Sequence, residues 1–116
     1  MFDRILVPID GSDKAFEALA LALEMQRKFG AELFILSVYR HYSLLEASMS
    51  MVRPEAPENL DDSMREYATG VVERAKVIAY GADYGPVRGF VKSGPPARTI
   101  VQFAREREVT LIVLGS

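Results

Sequence analysis

Cysteine is absent from the chain and histidine occurs once, at His41. The first absence excludes a disulfide framework and any thiolate metal site, and a lone imidazole cannot build a histidine-rich one, so only carboxylate metal binding stays open. Lys and Arg number 14 against 16 Asp and Glu, for a net charge of −2. The basic residues come singly rather than in a run that could track a phosphate backbone, which argues against nucleic acid as a partner. Long hydrophobic runs are missing as well. In the opening MFDRILVPIDG, Asp3 and Arg4 precede an apolar stretch too short for a signal-peptide core or a membrane span. The expectation is a cytoplasmic protein without a membrane partner.

Several motifs are absent in a way that narrows the chemistry. No GxxxxGK[ST] loop and no GxGxxG fingerprint occurs, which argues against a P-loop NTPase and a standard dinucleotide dehydrogenase. No GxSxG elbow occurs either. A phospho-acceptor receiver would need an acidic residue after its third strand, where this chain has Val91-Lys92-Ser93.

What is present reads as one ordinary globular domain. The chain has 116 residues, 49% apolar and 26% charged, enough for a single core and too few for a second. Ile5-Leu6-Val7-Pro8-Ile9 is a short, branched apolar run stopped by Asp10-Gly11-Ser12, the pattern of a strand buried on both faces. From a cap at Ser12 or Asp13 a helical stripe of Phe16, Leu19, Ala22, Leu23 and Met25 runs to Gly30. Residues 31–38 (AELFILSV) predict a second strand.

Between His41 and Asn59 no period can be defended, and the stretch reads as a long loop. Leu60, Met64, Tyr67, Val71, Ala75 and Ile78 then predict a long amphipathic helix ending near Gly81, its methionine and aromatics in the core. After Gly85-Pro86, residues 87–92 predict a third strand. Ser93-Gly94-Pro95-Pro96 opens a helix with Ala97, Ile100, Val101, Phe103 and Ala104, proline being tolerated where its missing N–H has no partner. Residues 110–114 predict a fourth strand running into Gly115-Ser116. This alternation implies an α/β fold, a Rossmann-like open parallel sheet with right-handed crossovers and helices on both faces.

Ligands of such sheets bind outside the carboxyl ends of the strands, where strand order reverses. Three segments offer such ends: Pro8 to Ser12, Val38-Tyr39-Arg40 and Leu114-Gly115-Ser116. An aspartate can accept from ribose hydroxyls or hold a metal ion, and a glycine before serine lets backbone N–H groups approach phosphate. Each piece also has a plain structural reading. Asp10-Gly11 makes a turn and helix cap, Gly115-Ser116 a loop, Ser93 to Pro96 a helix start, and His41 a solvated loop residue.

Four blocks taken together, ILVPIDGSDKAFEALALAL, AELFILSVYR, VKSGPPARTIVQFA and VTLIVLGS, resemble the universal stress protein family over nearly the whole chain. The resemblance implies a five-stranded parallel sheet ordered 3-2-1-4-5, often a homodimer, with ATP bound in many members. Adenine and ribose would lie near Pro8, Asp10 and Val38, the base being read by the Val38 main chain. The phosphates would lie on a loop written G-x2-G-x9-G-[ST], whose beginning Leu114 and Gly115 match, with Ser116 next. The second glycine, the distal pair and the fifth strand are not in this sequence, so the expectation is one domain over 1–116 that stops at the start of the phosphate loop.

The resulting expectation is an ATP-binding regulatory or stress-response module, with or without Mg or Mn. It carries no catalytic residues and hydrolyses ATP slowly at most, since no carboxylate pair, triad or general base is visible. One alternative is a dimerisation and interaction module of the same fold that has lost the nucleotide, as some relatives have. Another is an adenylyl-transferring enzyme of the related adenine-nucleotide α-hydrolases, whose SGGxDS-like loop is here replaced by DGSDKA.

Overall fold

A computed structural model describes residues 2–40 and 57–115, and for 57–60 the backbone alone. Strand β1 (Arg4–Pro8) leads through a turn into helix α1 (Asp13–Phe29). The helix starts where Ser12 Oγ accepts from the Ala15 N–H at 3.1 Å, and it stops at Gly30, whose left-handed backbone (φ 65°) lets its N–H donate to Gln26 O. Asp13 in the first turn and Arg27 and Lys28 in the last complement the helix dipole. Strand β2 (Glu32–Tyr39), helix α2 (Pro57–Ala82), strand β3 (Val87–Ser93), helix α3 (Pro96–Glu106) and strand β4 (Leu111–Ile112) complete the order.

The four strands form one parallel sheet in the order β3-β2-β1-β4, with Val7 opposite Ile35, Leu36 opposite Phe90 and Leu6 opposite Ile112. Side chains alternate between its faces. Ile5, Val7, Ile9, Leu33 and Ile35 point toward α1 and α2, where they pack with Leu19, Leu23, Val71 and Val72. Leu6, Phe34 and Leu36 point the other way and meet Phe103 of α3. Three rings lock this second layer edge to face: Phe34 to Phe103 at 6.1 Å, Phe90 to Phe103 at 5.0 Å and Phe34 to Phe90 at 6.0 Å. Burying each large aliphatic side chain of these layers contributes about 1.5–3 kcal/mol.

Strand order and layering agree with expectation, but three details differ. Pro57 and Asn59 belong to α2 rather than to the preceding loop, because proline is suited to a helix's first position. The face that α2 buries is Ala68, Val71, Val72, Ala75 and Ala79, whereas Tyr67 is 63% and Ile78 47% exposed. Small side chains let the helix lie close on the sheet, so the buried seam is turned by about one residue from the stripe of large apolar residues. The fourth strand is regular only over Leu111–Ile112, although Thr110 N–H donates to Arg4 O and Val113 N–H to Leu6 O on either side; Leu114 is 63% exposed. Residues 41–56, including His41, lie outside the described residues. Among the described residues no helix is long and apolar enough to cross a membrane.

Candidate functional site

The carboxyl ends of β1, β2 and β4 meet at one cleft of about 250 Å³, lined in part by Pro8, Asp10, Val38, Leu114 and Gly115. Five of the six residues singled out in the sequence are therefore brought together; Ser116 lies outside the described residues.

Hydrogen-bond parity explains why main-chain groups are free here. Ile9 N–H donates to Leu36 O at 2.8 Å, so the even residues of β2 turn their main-chain groups toward β1. Val38, two residues on, faces the same side, but the pairing with β1 ends at Pro8 opposite Leu36. The Val38 N–H and C=O thus face the cleft beyond the end of the ladder. By the same parity Pro8 C=O turns toward β4, two residues after Leu6, whose O accepts from Val113.

Asp10 sits on the lip of the cleft and is exposed. Its Oδ1 accepts from the Ser12 N–H at 2.9 Å, an Asx turn that feeds the chain into α1, while the helix cap itself is Ser12. Hydrogen bonds from Ser12, first its hydroxyl and then its N–H, hold the Asp10 carboxyl below its ordinary value of 3.8, against a smaller desolvation effect. Asp10 is therefore a carboxylate at neutral pH, oriented by the turn and exposed at the lip of the cleft.

Gly115 closes the far side. A Cβ added there would lie 2.5 Å from Lys14 C and 2.7 Å from Ala15 N and would collide with Lys14 O, all of them main-chain atoms of the first turn of α1. Only a glycine lets the segment after β4 lie against that turn, where N–H groups have no intrahelical acceptor.

Sequence reasoning missed the remaining walls. Ala15 from α1, Leu36 from β2, and Pro96 and Ile100 from α3 also line the cleft, giving it an apolar floor. The signal for α3 was present in the Pro95-Pro96 start, which was read only as a helix beginning. A second cleft of about 340 Å³ lies on the α2 side of the same turn and shares Asp10 and Val38; Ser63, Met64 and Tyr67 line it. There Arg65 Nε donates to Tyr39 Oη at 3.0 Å. Asp10 is the single carboxylate among the described residues lining either cleft. Among the described residues, no three acidic or histidine side chains gather in a way that could hold a metal ion.

Comparison with known proteins places the fold. The family model for the universal stress protein family matches residues 1–116. Universal stress protein YxiE of Bacillus subtilis is 35% identical over 121 residues, an overlap covering all of this chain and 80% of that protein. The crystal structure of a universal stress protein family member from Burkholderia pseudomallei matches with a TM-score of 0.83 at 26% identity, covering 99% of this chain and 82% of that one. A universal stress protein crystallised in complex with cAMP shares the fold, with a TM-score of 0.68 at 20% identity over 96% of this chain and 70% of its own.

Proposed function

Because the chain belongs to the universal stress protein family, we propose that it binds an adenine nucleotide, ATP, in the cleft at the ends of β1, β2 and β4, as a regulatory module in the cytoplasm. The observation that carries this reading is the convergence of the Asp10 carboxylate, the unpaired Val38 main chain and the Gly115 close approach on one cleft. A neighbouring N–H and C=O that face the same way offer a donor beside an acceptor, which matches a ring-nitrogen acceptor beside the N6 amino donor on the edge of adenine. The apolar floor of Leu36 and Ile100 takes the face of the base. Pockets that enclose whole drug-sized ligands measure about 300–1,000 Å³. The cleft is smaller than that, so it holds the base and leaves the phosphates toward Gly115 and the first turn of α1.

Asp10 accepts from a ribose hydroxyl in this reading. A divalent ion, Mg or Mn, would arrive with the nucleotide phosphates, since the described lining offers a single carboxylate. Among the described residues no second carboxylate lines the cleft to pair general acid with general base, so this reading has hydrolysis slow at most. The cAMP complex of a fold relative supports nucleotide binding at this fold. The module acts as a homodimer whose conformation or partners the nucleotide sets.

Titration calorimetry with ATP, cAMP and GTP tests the reading. ATP should release measurable heat and raise the melting temperature, because a ligand of the folded state stabilises it, and GTP should bind markedly more weakly. Neither heat nor a thermal shift with ATP would leave the chain as a dimerisation and interaction module of the same fold.

A further inference from the structure

A serine stands in β2 where the core pattern calls for an apolar side chain. Leu33 and Ile35 point into the layer under α1 and α2, and Ser37 is the next residue of that row. Ser37 is only 3% exposed, and among the described residues its hydroxyl has no hydrogen-bond partner. It lines the second cleft, between the end of β2 and α2. A buried polar group without a partner costs stability, and at the wall of a cleft it is satisfied by what the cleft holds.

The walls around it limit what that occupant can be. Tyr67 reaches from α2 to the β1–α1 turn, where a Cβ on Gly11 would lie 2.6 Å from its hydroxyl, so the absence of a side chain there lets the phenol close this side. On β2, Arg65 Nε holds the Tyr39 ring through its hydroxyl at 3.0 Å. Val38, Met64 and Ala68 add apolar surface. Among the described residues no cationic side chain lines the cleft and Asp10 is its one carboxylate, so an anionic group would be desolvated beside a like charge with nothing to offset it. The lining suits an uncharged ring with a hydroxyl or amino donor. At about 340 Å³ the cleft has the size of a ligand pocket, about 300–1,000 Å³.

We propose that this cleft receives an uncharged ring carried on the ribose of the bound nucleotide, which makes the ligand class adenine nucleotides with a neutral substituent at the 2′ or 3′ oxygen. In the nucleotide reading above, on which this rests, Asp10 accepts from one ribose hydroxyl. Asp10 and Val38 line both clefts, so the neighbouring hydroxyl lies at the passage from the first into the second. An ester or a glycoside fits that passage, whereas a phosphodiester would set another negative charge beside the Asp10 carboxylate. The ring then packs against Met64 and Tyr67, and its donor completes the Ser37 hydroxyl.

The probe is ATP esterified at its 2′/3′ oxygen with an N-methylanthraniloyl group, an uncharged fluorescent ring bearing one N–H. It is compared by calorimetry and fluorescence with ATP and with ATP carrying the same group on its γ-phosphate. The ribose ester should bind about tenfold or more tightly than ATP, with blue-shifted emission, and the γ-phosphate conjugate should gain nothing. Ser37→Ala should reduce the gain about threefold. Ser63→Trp, which fills the cleft from an exposed position of α2 and does not disturb the core, should abolish it. Both variants should keep the wild-type Kd for ATP. If ATP binds while the ribose ester gains nothing, or if the gain is undiminished in either variant or equal in the γ-phosphate conjugate, the proposal is overturned and the nucleotide reading stands. If none of the three nucleotides binds, both are overturned.

Discussion

Replacing Asp10 by asparagine separates a ligand-facing carboxylate from a structural one. Asparagine keeps an oxygen able to accept the Ser12 N–H, so the Asx turn at 2.9 Å survives and Ser12 still caps α1. What is lost from the folded protein is one exposed charge near the start of α1, worth about 0.3–1 kcal/mol. What is lost toward the nucleotide is the charge on a hydrogen-bond acceptor. Hydrogen bonds to charged groups contribute about 1.5–3 kcal/mol and neutral ones about 0.5–1.5, so the difference is roughly 1–1.5 kcal/mol, a five- to fifteenfold rise in the ATP Kd. Calorimetry and urea denaturation on the same two proteins read both quantities. The pH dependence follows from the direction of the Asp10 shift. Its folded-state value lies below 3.8, so its contribution is present above 3.8 and is lost as pH falls through the lower folded value. Any stability gap between wild type and Asp10→Asn should therefore close in acid. An ATP Kd changed by less than twofold, together with a stability loss above about 1 kcal/mol, would refute the argument and make Asp10 a turn residue only.

Val38→Ala should change the ATP Kd by less than about threefold, because the proposed contact is made by main chain; it should cost about 1 kcal/mol of stability for the methyl groups taken from the α3 layer. Gly115→Ala should weaken ATP binding by tenfold or more, since a Cβ cannot share space with the main chain of Lys14 and Ala15; hydrogen exchange at Val113 should show that β4 still pairs with β1. At the opposite end of the sheet, Gln26 is fully buried and its Nε2 donates to Pro86 O at 2.9 Å and Ala31 O at 3.2 Å. Gln26→Leu strands the Ala31 carbonyl, while Pro86 O keeps the Leu33 N–H as donor, and should destabilise the fold by about 1–3 kcal/mol in urea titrations with ATP affinity unchanged; unchanged or increased stability would mean that relief of the unpaired Oε1 outweighs this loss.

Much of this was legible in the sequence where local chemistry decides the outcome. Ser12 and Gly30 bound α1 by cap geometry alone, and the continuous apolar runs around Val7 and Ile35 could only be strands covered on both sides. The rotation of α2 was not legible, because it depends on how closely the helix approaches the sheet. Large Tyr67 and Ile78 looked like core, yet Ala68, Ala75 and Ala79 are what a close helix can bury. The lip of the site, Asp10 and Gly115, follows from strand ends. Its walls, Pro96 and Ile100 against Leu36, lie some sixty residues apart in sequence and meet only through the crossover from β3 to β4.

That crossover also explains why a cleft exists at all. From β1 to β2 to β3 the chain steps in one direction across the sheet, and α1 and α2 cover the same face. From β3 the next strand must be placed beyond β1, so α3 returns over the opposite face. With right-handed crossovers no other arrangement is available. The helices that flank β1 and β4 in sequence, α1 and α3, therefore lie on opposite faces, and the cleft opens between them at the strand ends. The Asp10 turn, the free Val38 main chain and the Gly115 contact all lie at that gap. One reversal of strand order thus accounts for the cleft at the carboxyl ends of the central strands.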